Sequence, residues 1–433
     1  MTRSSRIPGF YRLPLEERRE RIADVCSIEL EALADALDQG GLDATTADKM
    51  VENVLGLYSL PFGLALNVRI NGRDRLVPMV VEEPSVVAAA SNAARMVRES
   101  GGFQAEMAEA LMTGQVQMFE VPDPARAMLR LERAEEELLD IGRRAVPNLL
   151  ARGGGLRRIE IRDLGEGCIV LHVLVDCQDA MGANLVNSIA EAVGPRAAEI
   201  SGGKLGLRIL SNLCDRRRVH VTCRVHAEEL ARPRASDPGG APPELSGPDI
   251  VERIVQASRF AELDPYRAAT HNKGIMNGID AVVIATGNDF RAVEAGAHAF
   301  AARSGRYRPL AVWRRDAEDL VGELEVPLAL GTVGGTLRVH PAARIALQLM
   351  RIESSDDLSV TAASIGLASN LAALRALATE GIQRGHMSLH ARSVAAAAGA
   401  LADEVEYVAA AIAERGKITV EAAAEELSRL RRA

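Results

Sequence analysis

The chain has 433 residues, more than one hydrophobic core usually organises, so two or three domains are expected. Apolar residues at 48% and charged residues at 25% are ordinary for a globular protein. A formal net charge of −8 and an aromatic content of 3% argue against a nucleic-acid binder, which needs a basic surplus and stacking platforms.

The densest basic cluster, Arg216-Arg217-Arg218, reads as a solvated edge. No apolar run reaches the roughly 18 residues that suggest a membrane helix. Met1 to Glu20 is rich in Arg and Glu and lacks the apolar segment of a signal peptide. Cys26, Cys168, Cys177, Cys214 and Cys223 include no Cys-x-x-Cys pair, and their wide spacing points to reduced, mostly buried thiols. The expectation is a metal-free cytoplasmic protein with neither nucleic acid nor membrane as partner.

In chain order, residues 15 to 39 read as an amphipathic helix stopped by Gly40-Gly41, followed by a short helix near Thr46 to Asn53. Phe62 to Ile70 and Arg73 to Val81 flank Asn71-Gly72, a strong hairpin turn. Glu82-Glu83-Pro84-Ser85 then leads into an Ala/Val-rich helix ending at Gly101-Gly102, with Glu83 at the junction and Pro84 in the helix's first turn. A new texture begins near residue 110. It comprises a long charged helix over about 124 to 143, strands at Arg157 to Arg162 and Cys168 to Cys177, a helix opened by Asp179 to Asn184, and strands at Leu205 to Leu210 and Val219 to Val225. That is an inserted α/β unit of about a hundred residues with helices on one sheet face. Ala231 to Pro248 reads as a linker. A helix over Asp264 to Asn277 precedes an apolar strand, Asp280 to Thr286, and the chain is Ala-rich and helical from Asp357, with breaks near Gly385, Gly399 and Lys417.

General motifs name no reaction: there is no Gly-x-Gly-x-x-Gly after a strand, no phosphate loop and no Gly-x-Ser-x-Gly. Four longer segments do. Glu52-Asn53-Val54-Leu55-Gly56, Glu83 to Ser91, Asp264 to Asp280 and Gly381-Ile382-Gln383-Arg384-Gly385-His386-Met387 stand in one order along the chain. With Asp179 to Asn184 and Ala285 to Asp289, they make the chain resemble the class II, bacterial type of hydroxymethylglutaryl-coenzyme A (HMG-CoA) reductase over essentially its whole length.

The resemblance implies an α/β (α+β) protein: a large mixed α/β substrate domain, an inserted ferredoxin-like small cofactor domain and a helical C-terminal segment. The large substrate-binding and dimerisation domain would span 1–109 and 213–379, the nicotinamide domain 110–212, and a mobile flap 380–433. The implied reaction interconverts HMG-CoA with mevalonate and coenzyme A by two hydride transfers, through mevaldyl-CoA and mevaldehyde. Homodimers, alone or assembled further, would build the site at their interface.

Carried over by motif, the catalytic set is Glu83, Lys273, Asp289 and His386. Reduction of a thioester carbonyl develops an oxyanion, which Lys273 can stabilise, with Asp289 beside it holding the ammonium in place. Glu83 would give a proton to the aldehyde oxygen, favoured by burial and by Asp289, opposed by Lys273 and the helix N-terminus. His386 as imidazolium can protonate the departing thiolate near neutral pH. The resemblance nominates Ser85 and Arg267 for the carboxylate and hydroxyl end of the substrate, and Asn277 and Asn212 to orient the carbonyl. It places the nicotinamide cofactor on Asp179, Met181, Gly182, Ala183 and Asn184, whose small residues let the backbone approach a pyrophosphate.

NADH is favoured by overall similarity, yet Val146 stands where close NADH-using relatives carry an acid. Arg143, Arg144 and Arg152 nearby suit the extra phosphate of NADPH. Plainer readings run alongside: Lys273 as a solvated helix lysine, Glu83 as a dipole-stabilised carboxylate, Asp289 after an apolar strand, Asp179 as its own helix's cap, and His271 and His390 as rivals of His386. The functional alternative is a non-redox CoA-thioester binder or hydrolase on the same fold, which calls for an activated Ser or Cys.

Overall fold

The computed structural model describes residues 4–232, 245–379 and 391–432. The Gly381–Met387 motif with His386, the rival His390, the break at Gly385 and most of the linker lie outside them.

The N-terminal helical stretch is two helices, Leu15–Cys26 and Leu30–Leu37, because Ser27 takes a left-handed conformation (φ 55°) and stops the first. The short helix is Ala44–Met50, capped by the Asp43 side chain. The hairpin is as expected: β1 (Phe62–Ile70) pairs antiparallel with β2 (Arg73–Val80). Its turn has φ of 49° at Asn71 and 77° at Gly72, the conformation that favours this dipeptide.

Next comes a strand that composition did not reveal. β3 (Gln104–Phe119) is a 16-residue strand whose first half pairs with β7 (Arg217–Val225) and whose second half pairs with β5 (Ile169–Asp176) and β6 (Lys204–Leu210). With β4 (Gly155–Asp163) beside β5, the second half gives an antiparallel sheet ordered β6-β3-β5-β4, the ferredoxin-like arrangement. The charged helix expected over 124 to 143 is two, Pro124–Arg133 and Glu135–Arg144. They pack with helix Ala183–Ser201 over a core that includes Met112, Leu131, Leu138, Val173 and Ile189.

The first half of β3 continues through β7 into β9 (Asp319–Pro327) and β8 (Ala311–Asp316). Helix Ser355–Ala378 crosses this sheet and is the centre of the large core. By length and composition it could cross a membrane, contrary to the reading of the sequence, but it is mostly buried inside the protein. The expected apolar strand at Asp280 to Thr286 is the end of a 21-residue helix, Pro265–Ala285. That helix packs on Ser355–Ala378 as well as on β2: a Cβ on Gly278 would lie 2.6 Å from Ile365 O, so the two helix backbones nearly touch. Residues 391–397, Ala402–Glu414 and Val420–Leu430 are helices sharing a small core of their own around Val394, Val408 and Leu427.

Candidate active site

Glu83 lies in the turn between β2 and helix Val86–Glu99. The helix begins later than expected, so Pro84 belongs to the turn and Ser85 is the N-cap, with φ 77° and no capping hydrogen bond from its side chain. Such a conformation costs a non-glycine residue roughly 1–3 kcal/mol and collects at functional sites. The Ser85 Oγ is buried and has no hydrogen-bond partner among the described residues, so it can receive a polar group of a substrate.

Opposite this turn, helix Pro265–Ala285 presents Lys273 and, one turn on, Asn277. Lys273 Nζ donates to Glu83 Oε2 at 2.7 Å, and Asn277 Nδ2 reaches the same oxygen at 3.5 Å. The lysine side chain is 61% exposed and the glutamate 33%, so the pair stands open to solvent and contributes about 1 kcal/mol or less to stability. Arg267, on the same helix, is half-buried and has no carboxylate partner among the described residues; burial draws its pKa below the ordinary value. A guanidinium left unpaired in such a place suits a substrate carboxylate. His271 is not a rival base: it is buried, burial and Arg267 lower its pKa to about 4, and its Nε2 lies 3.0 Å from Ala311 O.

Asp289 makes no ion pair with Lys273 within this chain; Lys273 pairs with Glu83, and Asp289 Oδ1 lies 3.5 Å from Arg291 Nε. Its Oδ1 accepts from the backbone N–H groups of Arg291 and Ala292, both at 3.1 Å, capping helix Phe290–Ala301. It follows a helix rather than a strand. The Asn212 carbonyl packs against Gly296, about two turns further along helix Phe290–Ala301. Asn288, just before Asp289, makes two hydrogen bonds to the Gly331 backbone.

That second group adjoins the expected cofactor loop. Asp179 does not cap its own helix: its Oδ1 accepts from Ser355 N at 2.9 Å, at the start of the core helix Ser355–Ala378. Helix Ala183–Ser201 starts instead after Gly182 (φ 101°) with no side-chain cap, so its first N–H groups are left for an external anion, and Met181, Ala183 and Asn184 border them. These residues fit a dinucleotide pyrophosphate. Gly154 packs on Asp176 O, setting the segment with Arg152 beside the loop. Val146 is buried; Arg143 pairs with Asp140 at 3.5 Å, whereas Arg144 and Arg152 are exposed with no ion pair among the described residues.

The residue missed in the sequence is Arg217. Far from being a solvated edge, it is 1% exposed. It extends by one step the inward alternation of Val219, Val221, Cys223 and Val225, and that alternation was the available signal.

The chain matches the family model described as hydroxymethylglutaryl-coenzyme A reductase over residues 14–391. It is 47% identical to the 3-hydroxy-3-methylglutaryl-coenzyme A reductase of Archaeoglobus fulgidus over 99% of this chain and 95% of that one. A probable reductase of Borreliella burgdorferi is 36% identical over 80% of this chain and 77% of its own. Among solved structures, the 3-hydroxy-3-methylglutaryl-coenzyme A reductase of Streptococcus pneumoniae superposes with a TM-score of 0.81 at 40% identity, covering 98% of this chain and 99% of that one. The class II enzyme from the same organism bound to NADPH, in open conformations, gives 0.80 at 42% identity over 86% of this chain and 99% of that one. The chain belongs to the hydroxymethylglutaryl-coenzyme A reductase family.

Proposed function

We propose that Glu83, Lys273, Asp289 and His386 carry the interconversion of HMG-CoA and mevalonate in a site completed by a second copy of the chain. The observation that carries this is the Lys273–Glu83 pair, an ammonium and a carboxyl group 2.7 Å apart, open to solvent and flanked by Asn277. When bound at the Asp179–Asn184 loop, the nicotinamide supplies hydride, twice in the full reaction. Lys273 donates N–H to the carbonyl oxygen as it gains charge. Glu83, hydrogen-bonded to that ammonium, passes a proton toward the same oxygen at the aldehyde step. His386 as imidazolium protonates the coenzyme A sulfur as it leaves. Arg267 and Ser85 hold the far carboxylate and hydroxyl, and Asn277 and Asn212 orient the carbonyl.

Dimerisation is supported by the lack of an ion pair between Asp289 and Lys273 within one chain and by the Glu52–Gly56 motif. Around it, Val51, Leu55, Leu57 and Tyr58 are exposed in one apolar stretch. We further propose that both nicotinamide cofactors are accepted. The reading of the sequence leans to NADH, while Val146, Arg144 and Arg152 without an ion pair among the described residues, and the NADPH held by the pneumococcal relative support NADPH. The flap carrying His386 would exclude water on closing, and a cytoplasmic location remains part of the proposal.

The non-redox alternative has little support. Burial pushes the Cys177 and Cys214 thiols up to about 12 and 11, which leaves them poor nucleophiles. The test is nicotinamide absorbance during turnover of HMG-CoA by wild type and Lys273→Ala. Oxidation of NADH or NADPH by wild type and not by the variant is expected. Folded wild type that oxidises neither cofactor with intact substrate rejects the reading, and an active monodisperse monomer rejects the shared site.

A further inference from the structure

We propose that Arg217 is a positioning residue for the nicotinamide cofactor, tying the Ala180–Met181 loop to the core and to the Asp289 cap through one buried guanidinium. The proposal rests on the reductase reading above.

Arg217 Nη1 donates to Ala180 O at 3.1 Å and Met181 O at 3.4 Å, and Nη2 to Leu330 O at 2.7 Å and Ser355 Oγ at 3.1 Å. One planar group therefore joins three separate chain segments. Because it takes two consecutive carbonyls, it fixes two successive peptide planes of the loop. The same loop is held a second time: Ser355 Oγ donates to Gln178 O at 3.2 Å, and Thr332 N to Asp179 O at 2.9 Å. The Leu330 side of the latch continues to Asp289. Gly331 lies so close that a Cβ there would be 2.6 Å from Met181 N, and Gly331 N and O are both bonded to the Asn288 side chain. Cofactor loop and Asp289 cap thus share one network.

Packing alone does not require this charge. The neighbouring inward positions of β7 are Val219, Val221, Cys223 and Val225, and no carboxylate touches the guanidinium among the described residues. Burying a cation against three carbonyls and a hydroxyl, with no counter-charge in contact, is costly compared with an apolar side chain. A lysine could not replace it, since a single ammonium lacks the fork that spans three segments.

Arg217→Lys is titrated with NADPH, and separately with NADH, by nicotinamide fluorescence without HMG-CoA; melting and steady-state constants are measured beside it. The dissociation constants should rise at least about tenfold, as expected for lost hydrogen bonds from a charged donor, with the KM for HMG-CoA within about twofold. Unchanged cofactor binding overturns the proposal. So does equal weakening toward cofactor and HMG-CoA with a lowered melting temperature, the mark of a merely structural role. Should Arg217→Lys not fold, Asn288→Ala opens the far end of the network. It should raise the same constants about threefold or more and lower kcat, and no change in either overturns the proposal. Wild type that binds NADPH without turning over HMG-CoA would refute the reductase reading while leaving the Arg217 result to stand.

Discussion

The two halves of the site are built in opposite ways. The Lys273–Glu83 half is one ion pair open to solvent, beside a strained Ser85 whose buried hydroxyl has no partner among the described residues. The cofactor half is held from beneath by Arg217, Asp179 and Asn288, each spent on backbone groups. A cofactor loop fixed in advance binds without an ordering cost. The proposed reacting groups, by contrast, stand open to solvent, and their own bond is cheap to break. The exposed half should therefore be rich in catalysis and poor in stability, and the buried half the reverse.

The sharpest way to break this contrast is Lys273→Ala. Losing a charged donor to the developing oxyanion should lower kcat by about 10²–10³. The melting temperature should stay within about a degree, because the pair it removes is exposed. A large loss of stability in calorimetry would mean that Lys273 is structural and the contrast false.

The same contrast explains what could be read in the sequence. Glu83, Lys273, Asn277 and Asp289, the residues proposed for the reaction, could be named because each lies in a contiguous motif. The hairpin was legible from Asn71-Gly72, where turn chemistry is local. Arg217 was not, because its four acceptors come from segments far away in sequence. The run Asp280 to Thr286 was mistaken for a strand, since an apolar stretch buried against a helix looks the same as one buried in a sheet. β3 was overlooked because its first half, Gln104 to Ala110, holds Glu106 and Glu109 and no β-branched or aromatic residue. Asp289 could be named but its partners could not, since the backbone N–H groups it accepts from depend on where its helix begins.

Lys273 is exposed, yet the helix beneath it is tightly seated. Gly278→Ala would drive a Cβ to 2.5 Å from Ser369 Oγ and 2.6 Å from Ile365 O, where Pro265–Ala285 crosses Ser355–Ala378. Overpacking of this kind costs roughly 1–3 kcal/mol. Chemical denaturation should show the loss, and kcat should fall with it as the helix shifts Lys273 away from Glu83. A variant that loses stability with kcat intact would show that the position of Lys273 does not depend on this crossing.

Asp280 joins the two halves, linking the helix of Lys273 to the helix capped by Asp289. Burial, then its hydrogen bond to Glu294 and the charge there, push its carboxyl up to about 8. Glu294 is held in turn by His298 Nε2 at 2.6 Å, and His298 Nδ1 lies 2.7 Å from Tyr307 Oη. The folded chain keeps a proton that the unfolded chain releases at the ordinary value of about 3.9. This group's contribution is therefore fully present below that value and is lost as pH rises to about 8. Asp280→Asn keeps a donor without needing the proton, so its melting temperature should fall less between pH 5 and pH 8 than that of wild type. Parallel curves for the two proteins would show that Asp280 carries no proton across that range.

The smallest expected effect is at the rim of the buried half, where Arg144 and Arg152 are exposed and lie outside the latch. If they receive the extra phosphate of NADPH, reversing either charge should cut kcat/KM for NADPH by about fivefold, the worth of an exposed charged contact of roughly 1 kcal/mol. The constants for NADH should stay nearly unchanged, since it presents no charge at that point. Neither substitution should move the melting temperature, and this separates them from Arg217, whose removal acts on both cofactors alike through the loop. A loss shared equally by NADH and NADPH would place these arginines with the loop rather than the phosphate. It would then leave Val146, with no acid in its place, as the reason for whatever preference the enzyme shows.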